Sequence, residues 1–188
     1  IEKDLTNTGS VQTTGELTAQ NTVNTGKLTA EKDIKTENLD NSGEITTNKK
    51  LNTKNIDNKS TGKITTGESI ITSGNVKNSG TVNTNGDFVI NGNLENYNVI
   101  NAGGLLNTKD LQNTGALKVS DKIVSRGSVF SNSGEILTTN LDVDAVNITN
   151  SNKITDVETA KLKGNSVNNQ GTIDANNIEI TTPVLTNS

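Results

Sequence analysis

The sequence contains no cysteine and no histidine. Disulfide bonds and thiol chemistry are therefore excluded, as are imidazole ligands for metals and catalytic triads that use a histidine base. Tryptophan and methionine are also absent, and aromatic residues make up only 2% of the chain. No apolar run approaches the roughly 18 residues that a membrane-spanning helix requires, so we expect no membrane insertion.

Charge of either sign is too scattered to indicate a partner. The chain has 17 lysine and arginine residues against 21 aspartate and glutamate residues, which gives a net charge of −4. Because no stripe of basic residues is present, the sequence predicts no nucleic-acid binding. Hydrophobic residues make up 29% of the chain. So low a fraction is typical of disorder, but the strictly periodic placement of the apolar residues argues against it.

What the chain has in abundance is a repeat of 17–20 residues that is anchored on asparagine. An apolar residue lies two positions before the anchor in every unit but one, where Thr22 takes its place. Another apolar residue lies four positions after the anchor in most units. Successive anchors are 17, 17, 17, 20, 18, 17, 19, 18, 19 and 18 residues apart. The anchors are Asn7, Asn24, Asn41, Asn58, Asn78, Asn96, Asn113, Asn132, Asn150, Asn169 and Asn187.

A repeat of this length indicates a solenoid. Within each unit apolar and polar residues alternate, as in Leu51-Asn52-Thr53, and this pattern predicts strands with one inward face. Asparagine and glycine separate the runs and favour tight corners. We therefore predict an all-β fold, a single-stranded parallel β-helix of about ten coils that covers residues 1–188 as one repeat domain. Each coil is expected to contain three short strands, each about three to five residues long.

Three positions of the unit carry more specific predictions. The anchor asparagines are expected to hydrogen-bond to each other along the axis as a structural ladder. The residue two positions after the anchor is glycine in most units, and asparagine at Asn98 and Asn152, from which we predict a left-handed backbone at this corner. Asp156 falls on an inward position where most units have threonine or alanine. We expect Asp156 to point outward through a bulge, because an unpaired buried carboxylate is costly.

Two repeats, NTGKLTAEKDIKTENLD (residues 24–40) and NSGEITTNKKLNTKNID (residues 41–57), resemble the haemagglutinin repeats of filamentous-haemagglutinin-type exoproteins. These are large bacterial two-partner-secretion proteins, a group that includes contact-dependent growth inhibition effectors. The resemblance covers nearly the whole chain. It implies a right-handed β-helix, export by an outer-membrane transporter, and a secreted filament at the bacterial cell surface that serves adhesion or toxin delivery. The irregular unit lengths after Asn58 depart from the family's pattern, as does Asp156.

Residues with catalytic or ligand-binding potential are few. The Gly-Gly-x-Gly-x-Asp repeats with which β-rolls bind calcium are absent, so no metal or cofactor site is predicted, and the family's repeats carry no catalytic motif. Asp142 and Asp144 are candidates for the paired carboxylates of a polysaccharide-cleaving β-helix, although solvated strand residues are the simpler interpretation. The chain's one tyrosine, Tyr97, and its one arginine, Arg126, interrupt the repeat and are candidates for a surface contact.

These observations leave three functions open. In the first, the chain is a rod segment of a large secreted adhesin or exoprotein that displays distal receptor-binding or toxin parts. In the second, the rod face itself binds a ligand on a host or bacterial surface. The third and most remote is a polysaccharide-cleaving enzyme. Regular repeats favour the rod, so we predict no catalysis and a host or bacterial cell-surface receptor as the partner of the parent protein. The chain begins and ends in mid-unit and is expected to be a segment of a longer array.

Overall fold

The computed structural model describes residues 3–188. In this range the regular secondary structure consists of β-strands alone. The strands pair only in parallel, and those of the inner coils pair with their equivalents one coil before and one coil after them. The chain therefore winds as a single-stranded parallel β-helix of about ten coils, which confirms the fold predicted from the repeat. At about 4.8 Å per coil, the rod is roughly 50 Å long.

Coils 1 to 10 each begin at an anchor asparagine, and the three strand segments that follow it, such as those at 81–84, 88–90 and 94–96 in coil 5, form the first, second and third sides of the coil. The strands that lead into coil 1 or belong to coils 1 to 3 are β1 (Leu5–Asn7), β2 (Ser10–Thr13), β3 (Leu17–Thr18), β4 (Asn21–Asn24), β5 (Lys27–Ala30), β6 (Ile34–Asn41), β7 (Glu44–Thr47) and β8 (Leu51–Asn58). Those of coils 4 to 6 are β9 (Lys63–Thr66), β10 (Ile70–Thr72), β11 (Val76–Asn78), β12 (Thr81–Thr84), β13 (Phe88–Ile90), β14 (Leu94–Asn96), β15 (Val99–Ala102), β16 (Leu106–Thr108) and β17 (Leu111–Asn113). Those of coils 7 to 10 are β18 (Ala116–Asn132), β19 (Glu135–Asn150), β20 (Lys153–Lys163), β21 (Ser166–Asn169), β22 (Thr172–Thr181) and β23 (Val184–Asn187).

The strands of the later coils are longer than the repeat predicted. Coils 4 to 6 have three separate strands of three or four residues, whereas β18 and β19 run for 17 and 16 residues through all three sides of their coils. The pairing of β18 with β19 continues across the corner between the second and third sides of the coil, where Arg126 and Gly127 pair with Asp144 and Ala145. These corners lack an Asn-Gly pair such as Asn91-Gly92, which separates two strands in coil 5.

The repeat lies in register along the rod, so that equivalent residues stack in columns. Where coil 3 stacks on coil 2, for example, Ile34 lies beside Leu51 and Leu39 beside Ile56. The inward columns hold mostly aliphatic residues and threonines, with Phe88, Phe130 and the anchor asparagines, and they are buried throughout coils 2 to 8. A protein of this shape needs only a thin core, which explains the low hydrophobic content.

Glycine after the anchor is required by the stacking of corners, and the predicted left-handed backbone is wrong. No glycine of residues 3–188 has a positive φ. A Cβ atom on Gly26 would instead overlap the carbonyl oxygen of Gly9 in the coil before it, and one on Gly134 would overlap that of Gly115. Where glycine follows the anchor, successive corners therefore lie too close together for a Cβ atom.

Two corners have asparagine in place of this glycine, and their hydrogen bonds to the preceding coil are longer. Neither Asn98 nor Asn152 has a positive φ. The N–H of the next residue donates to the carbonyl of the preceding coil over 3.2 Å at Val99 and 3.4 Å at Lys153. In coils 2, 3 and 8, which keep glycine, the same bond measures 2.8, 2.9 and 2.9 Å. A Cβ atom at this corner thus weakens the contact between coils.

Asp156 points outward through a bulge, as predicted. It is exposed and has a φ of 61°. The pairing between β20 and β22 shifts between Ile154 and Val157, and Val157 takes the inward position with only 3% of its surface exposed. One extra residue therefore keeps the carboxylate in water and restores an aliphatic side chain to the core.

Candidate functional site

The anchor asparagines form one continuous column inside the rod. The Nδ2 atom of each donates to the Oδ1 atom of the next over 2.7–2.9 Å, from Asn7 through to Asn187. The same amide also bonds to the backbone, as Asn78 does to the carbonyls of Gly80 (3.1 Å) and Val99 (3.0 Å). These amides are occupied in holding coils together, so the column is structural and offers nothing to a ligand.

Tyr97 lies at the anchor corner of coil 6 and is 47% exposed. Its hydroxyl donates to Oε2 of Glu95 over 2.9 Å, and Nζ of Lys77 lies 5.8 Å from the centre of its ring. The bond to Glu95 raises the pKa of Tyr97, so the phenol stays protonated and keeps donating. An accessible ring held between an ammonium and a carboxylate is able to stack on a ligand.

Arg126 is exposed but engaged with a neighbouring coil. Its Nη2 atom lies 2.7 Å from Oδ1 of Asp142, and its Nη1 atom donates to the Asp142 carbonyl over 2.8 Å. Nζ of Lys122 donates to Oδ2 of the same carboxylate over 2.8 Å. This network joins coil 7 to coil 8. Tyr97 and Arg126 lie at different corners, so the structure does not bring them into one site.

The two carboxylates considered for polysaccharide cleavage share the outward face of β19. Asp142 is bonded to Lys122 and Arg126, and Asp144 to Nζ of Lys163 over 2.9 Å. Burial alone would raise the pKa of Asp142, but the hydrogen bonds from Lys122 and Arg126 outweigh it, so the pKa is lowered. A glycosidase acid needs a raised pKa, so Asp142 is not suited to that role.

Two grooves that the repeat did not reveal run along one corner of the rod. The larger, about 840 Å³, spans coils 1 to 4 and is lined by polar side chains that include Lys35, Glu37 and Lys54. The second, about 490 Å³, spans coils 7 to 10 beside Val146 and Pro183. Both follow the junction between the second and third sides of the coil. Corner shape depends on backbone turns rather than on apolar spacing, so the hydrophobic pattern carries no signal for them.

A third groove, of about 380 Å³, lies on the outer face of the third side in coils 2 to 5. Amide side chains line it, among them Asn38, Asn55, Asn75 and Asn93. Nδ2 of Asn55 donates to Oδ1 of Asn38 over 2.8 Å, and the backbone N–H of Asn93 donates to Oδ1 of Asn75 over 2.9 Å. Lys77 and Glu95, which hold the ring of Tyr97, also line this groove. The groove therefore extends the surface around that tyrosine.

Comparisons with known proteins do not assign this surface. A scan against protein-family models gives no match, and searches of curated proteins and of solved structures give none either. Residues 3–188 contain no group of three or more acidic side chains arranged to hold a metal ion. None of their elements is a helix of the length and hydropathy that crossing a bilayer requires. The resemblance to haemagglutinin repeats stays a prediction from the sequence.

Proposed function

We propose that this chain is a rod segment of a large bacterial surface exoprotein and holds receptor-binding or toxin parts away from the cell. The observation that supports this most directly is the unbroken column of asparagine bonds from Asn7 to Asn187. Every coil is tied to the next by the same bond, so length is added one coil at a time without changing the cross-section. A spacer needs this property, whereas a compact binding domain does not.

Secretion and partners are part of the same proposal. The rod reaches the cell surface through an outer-membrane transporter, and other parts of the parent protein meet a receptor on a host or bacterial cell. The support is the amino-acid sequence of the two repeats in residues 24–57. The absence of cysteine is compatible with the oxidising environment outside the cell.

The spacer function is tested by removing one coil. Deleting residues 25–41 joins Asn24 to Ser42 and leaves a complete Asn-Ser-Gly corner. Energy transfer between dyes on Thr6 and Thr186 should report a rod shorter by about 4.8 Å, with the circular dichroism of a folded β protein. A deletion of nine residues, half a coil, is the matched control and should disrupt the fold. Loss of folding in the whole-coil deletion would contradict the proposal.

A ligand-binding face is the second candidate, and the groove beside Tyr97 favours it. The chain would be screened for binding to glycans and to bacterial and host cells, together with the Tyr97→Ala, Arg126→Ala and Tyr97→Phe variants. The spacer proposal expects no binding. Binding that Tyr97→Ala abolishes and Tyr97→Phe keeps would assign function to this face instead.

Catalysis is not part of the proposal, and it is directly measurable. The chain would be incubated with a panel of polysaccharides, and new reducing ends compared with those from the Asp142→Asn variant. We expect none from either protein, because Asp142 is held ionised by two cationic side chains. Turnover that disappears in the variant would replace the spacer with a polysaccharide-cleaving enzyme.

A further inference from the structure

Coil 5 contains the two asparagines whose amides are most open to attack by the backbone. Of the 31 asparagines in the chain, only Asn85 and Asn91 are followed by glycine. Glycine has no side chain to shield its backbone nitrogen, so this nitrogen reaches the preceding asparagine amide more easily than any other. Asn85 lies at the corner between β12 and β13, and Asn91 at the corner between β13 and β14. Both residues are exposed, so water reaches them as well.

The anchor asparagines are protected from the same attack. Asn78, which begins coil 5, is 0% exposed, and its Oδ1 atom accepts a bond from Asn58 over 2.8 Å. Its Nδ2 atom donates to three acceptors over 2.9–3.1 Å. A reaction at this amide would break buried hydrogen bonds and would need water that the core excludes. The ladder therefore leaves deamidation to the outer corners.

The two Asn-Gly corners differ in how firmly the attacking nitrogen is held. The N–H of Gly92 donates to the carbonyl of Gly74 over 3.0 Å, whereas the N–H of Gly86 donates to the carbonyl of Glu68 over 3.4 Å. The N–H groups of Glu68 and Gly104, which lie one coil before and one coil after Gly86, both donate over 3.1 Å. A bond of 3.4 Å is weak, so less is lost when the Gly86 nitrogen turns away from it.

We propose that Asn85 is a site of spontaneous deamidation, at which coil 5 acquires an aspartate or an isoaspartate. The Gly86 nitrogen loses its proton to a base in solution and bonds to Cγ of Asn85. The bond from Cγ to the side-chain nitrogen breaks, this nitrogen takes up a proton and leaves as ammonia, and a succinimide ring remains. Water then opens the ring. Addition at Cγ gives aspartate, and addition at the main-chain carbonyl gives isoaspartate.

Isoaspartate at this corner would disturb the contact between coils 5 and 6. Its main chain runs through Cβ and Cγ and is therefore one atom longer than that of aspartate. Gly103 of coil 6 stacks on Asn85 so closely that a Cβ atom on Gly103 would overlap the Asn85 carbonyl oxygen. The N–H of Gly103 also donates to the carbonyl of Thr84 over 2.9 Å. The corner has no space for the added atom, so the modification should loosen these two coils.

Peptide mass spectrometry of the folded chain, incubated in mildly alkaline buffer, tests the site. It detects the mass gained when an amide becomes an acid, and isoaspartate is labelled by an isoaspartyl methyltransferase with S-adenosylmethionine. Asn85 should be converted about fivefold faster than Asn91, and the anchors should stay unchanged. The reference is the same chain unfolded in urea, where neither glycine nitrogen is held and both Asn-Gly pairs should react at similar rates.

Two variants assign the methyl label to its source. Asn85→Gln keeps an exposed amide but requires a larger ring that forms more slowly, so it should remove most of the label. Asn91→Gln is the matched control and should keep most of it. The proposal would be overturned if Asn91 reacted at least as fast as Asn85 in the folded chain. It would also be overturned if the folded chain showed no conversion while the unfolded chain reacted to completion.

Discussion

The corner after each anchor asparagine is where one atom decides how closely two coils approach. Gly134 has no room for a Cβ atom above Gly115, whereas Gly9, in coil 1, has no atom within 4 Å of that position. We expect Gly134→Ala to lower the free energy of unfolding by about 1–3 kcal/mol. Gly9→Ala is the matched control and should be neutral or stabilise the chain by up to about 1 kcal/mol. Urea denaturation followed by circular dichroism measures both, and equal effects would show that stacking does not select this glycine.

Asp142 provides a test through pH. Its pKa in the folded chain lies below the usual 3.8, since the hydrogen bonds from Lys122 and Arg126 outweigh the effect of burial. The stabilisation is therefore complete above about pH 4 and is lost as the pH falls through the folded pKa. Asp142→Asn should cost about 1–2 kcal/mol at pH 7, and the difference from wild type should shrink below pH 4.

Asp144→Asn is the control for that measurement. Asp144 has one partner, Lys163, and its side chain is 45% exposed, against 22% for Asp142. An exposed pair of this kind contributes little, so we expect a change within about 0.5 kcal/mol. If Asp142→Asn cost the same at pH 3 as at pH 7, the ion pair would not be the source of its effect.

Single residues show where sequence reasoning succeeds and where it stops. The direction of Asp156 followed from charge, because a carboxylate without a partner is excluded from an apolar core. The reason for the glycine after the anchor could not be predicted, because the clash lies between two successive coils. The sequence of a single unit does not give the distance between those coils. The partners of Arg126 were hidden for the same reason, since Asp142 lies 16 residues away and becomes a neighbour only through the register of β18 and β19.

At the scale of the strand and the column, burial separates two kinds of asparagine ladder. Asn96 and Asn38 both donate over 2.8 Å to an asparagine one coil away, but Asn96 is 1% exposed and Asn38 lies on the surface. Asn96→Ala would leave the buried Oδ1 of Asn113 without its amide donor, and it would take one of three acceptors from Nδ2 of Asn78. We expect it to cost about 2–4 kcal/mol.

Asn38→Ala removes the same kind of bond where water replaces it, and it should change stability by no more than about 0.5 kcal/mol. The urea denaturation midpoints of Asn96→Ala and Asn38→Ala show whether the buried ladder stabilises the rod more than the exposed one. Similar losses would mean that the outer ladder stabilises the rod as much as the inner one does.

Periodicity predicts columns better than corners. The positions of Phe88 and Phe130 in the core follow from alternation, and both are buried. The 17 residues of β18 did not follow, because a strand that continues around a corner has the same inward pattern as three separate strands. Two of the three grooves lie at the corner between the second and third sides, so this part of the surface is not predicted by the apolar periodicity.

The whole molecule behaves as a one-dimensional stack, because each coil contacts only its neighbours. A central coil is held on two faces, whereas coil 10 is held on one in the described chain. Local unfolding should therefore begin at the terminal coils of this chain rather than throughout the rod. We expect amide hydrogens of residues 170–188 to exchange about 100-fold faster than those of residues 58–131, as measured by mass spectrometry of peptides at low protein concentration.

A variant shows whether stability is passed on from coil to coil. Gly134→Ala weakens the contact between coils 7 and 8, so exchange should accelerate in residues 116–150 and change little in residues 24–58. Exchange that accelerates equally in both regions would mean that the rod opens as one cooperative unit. Since the ladder bonds and the core contacts join only adjacent coils, we expect the effect to decay within a few coils of the substitution.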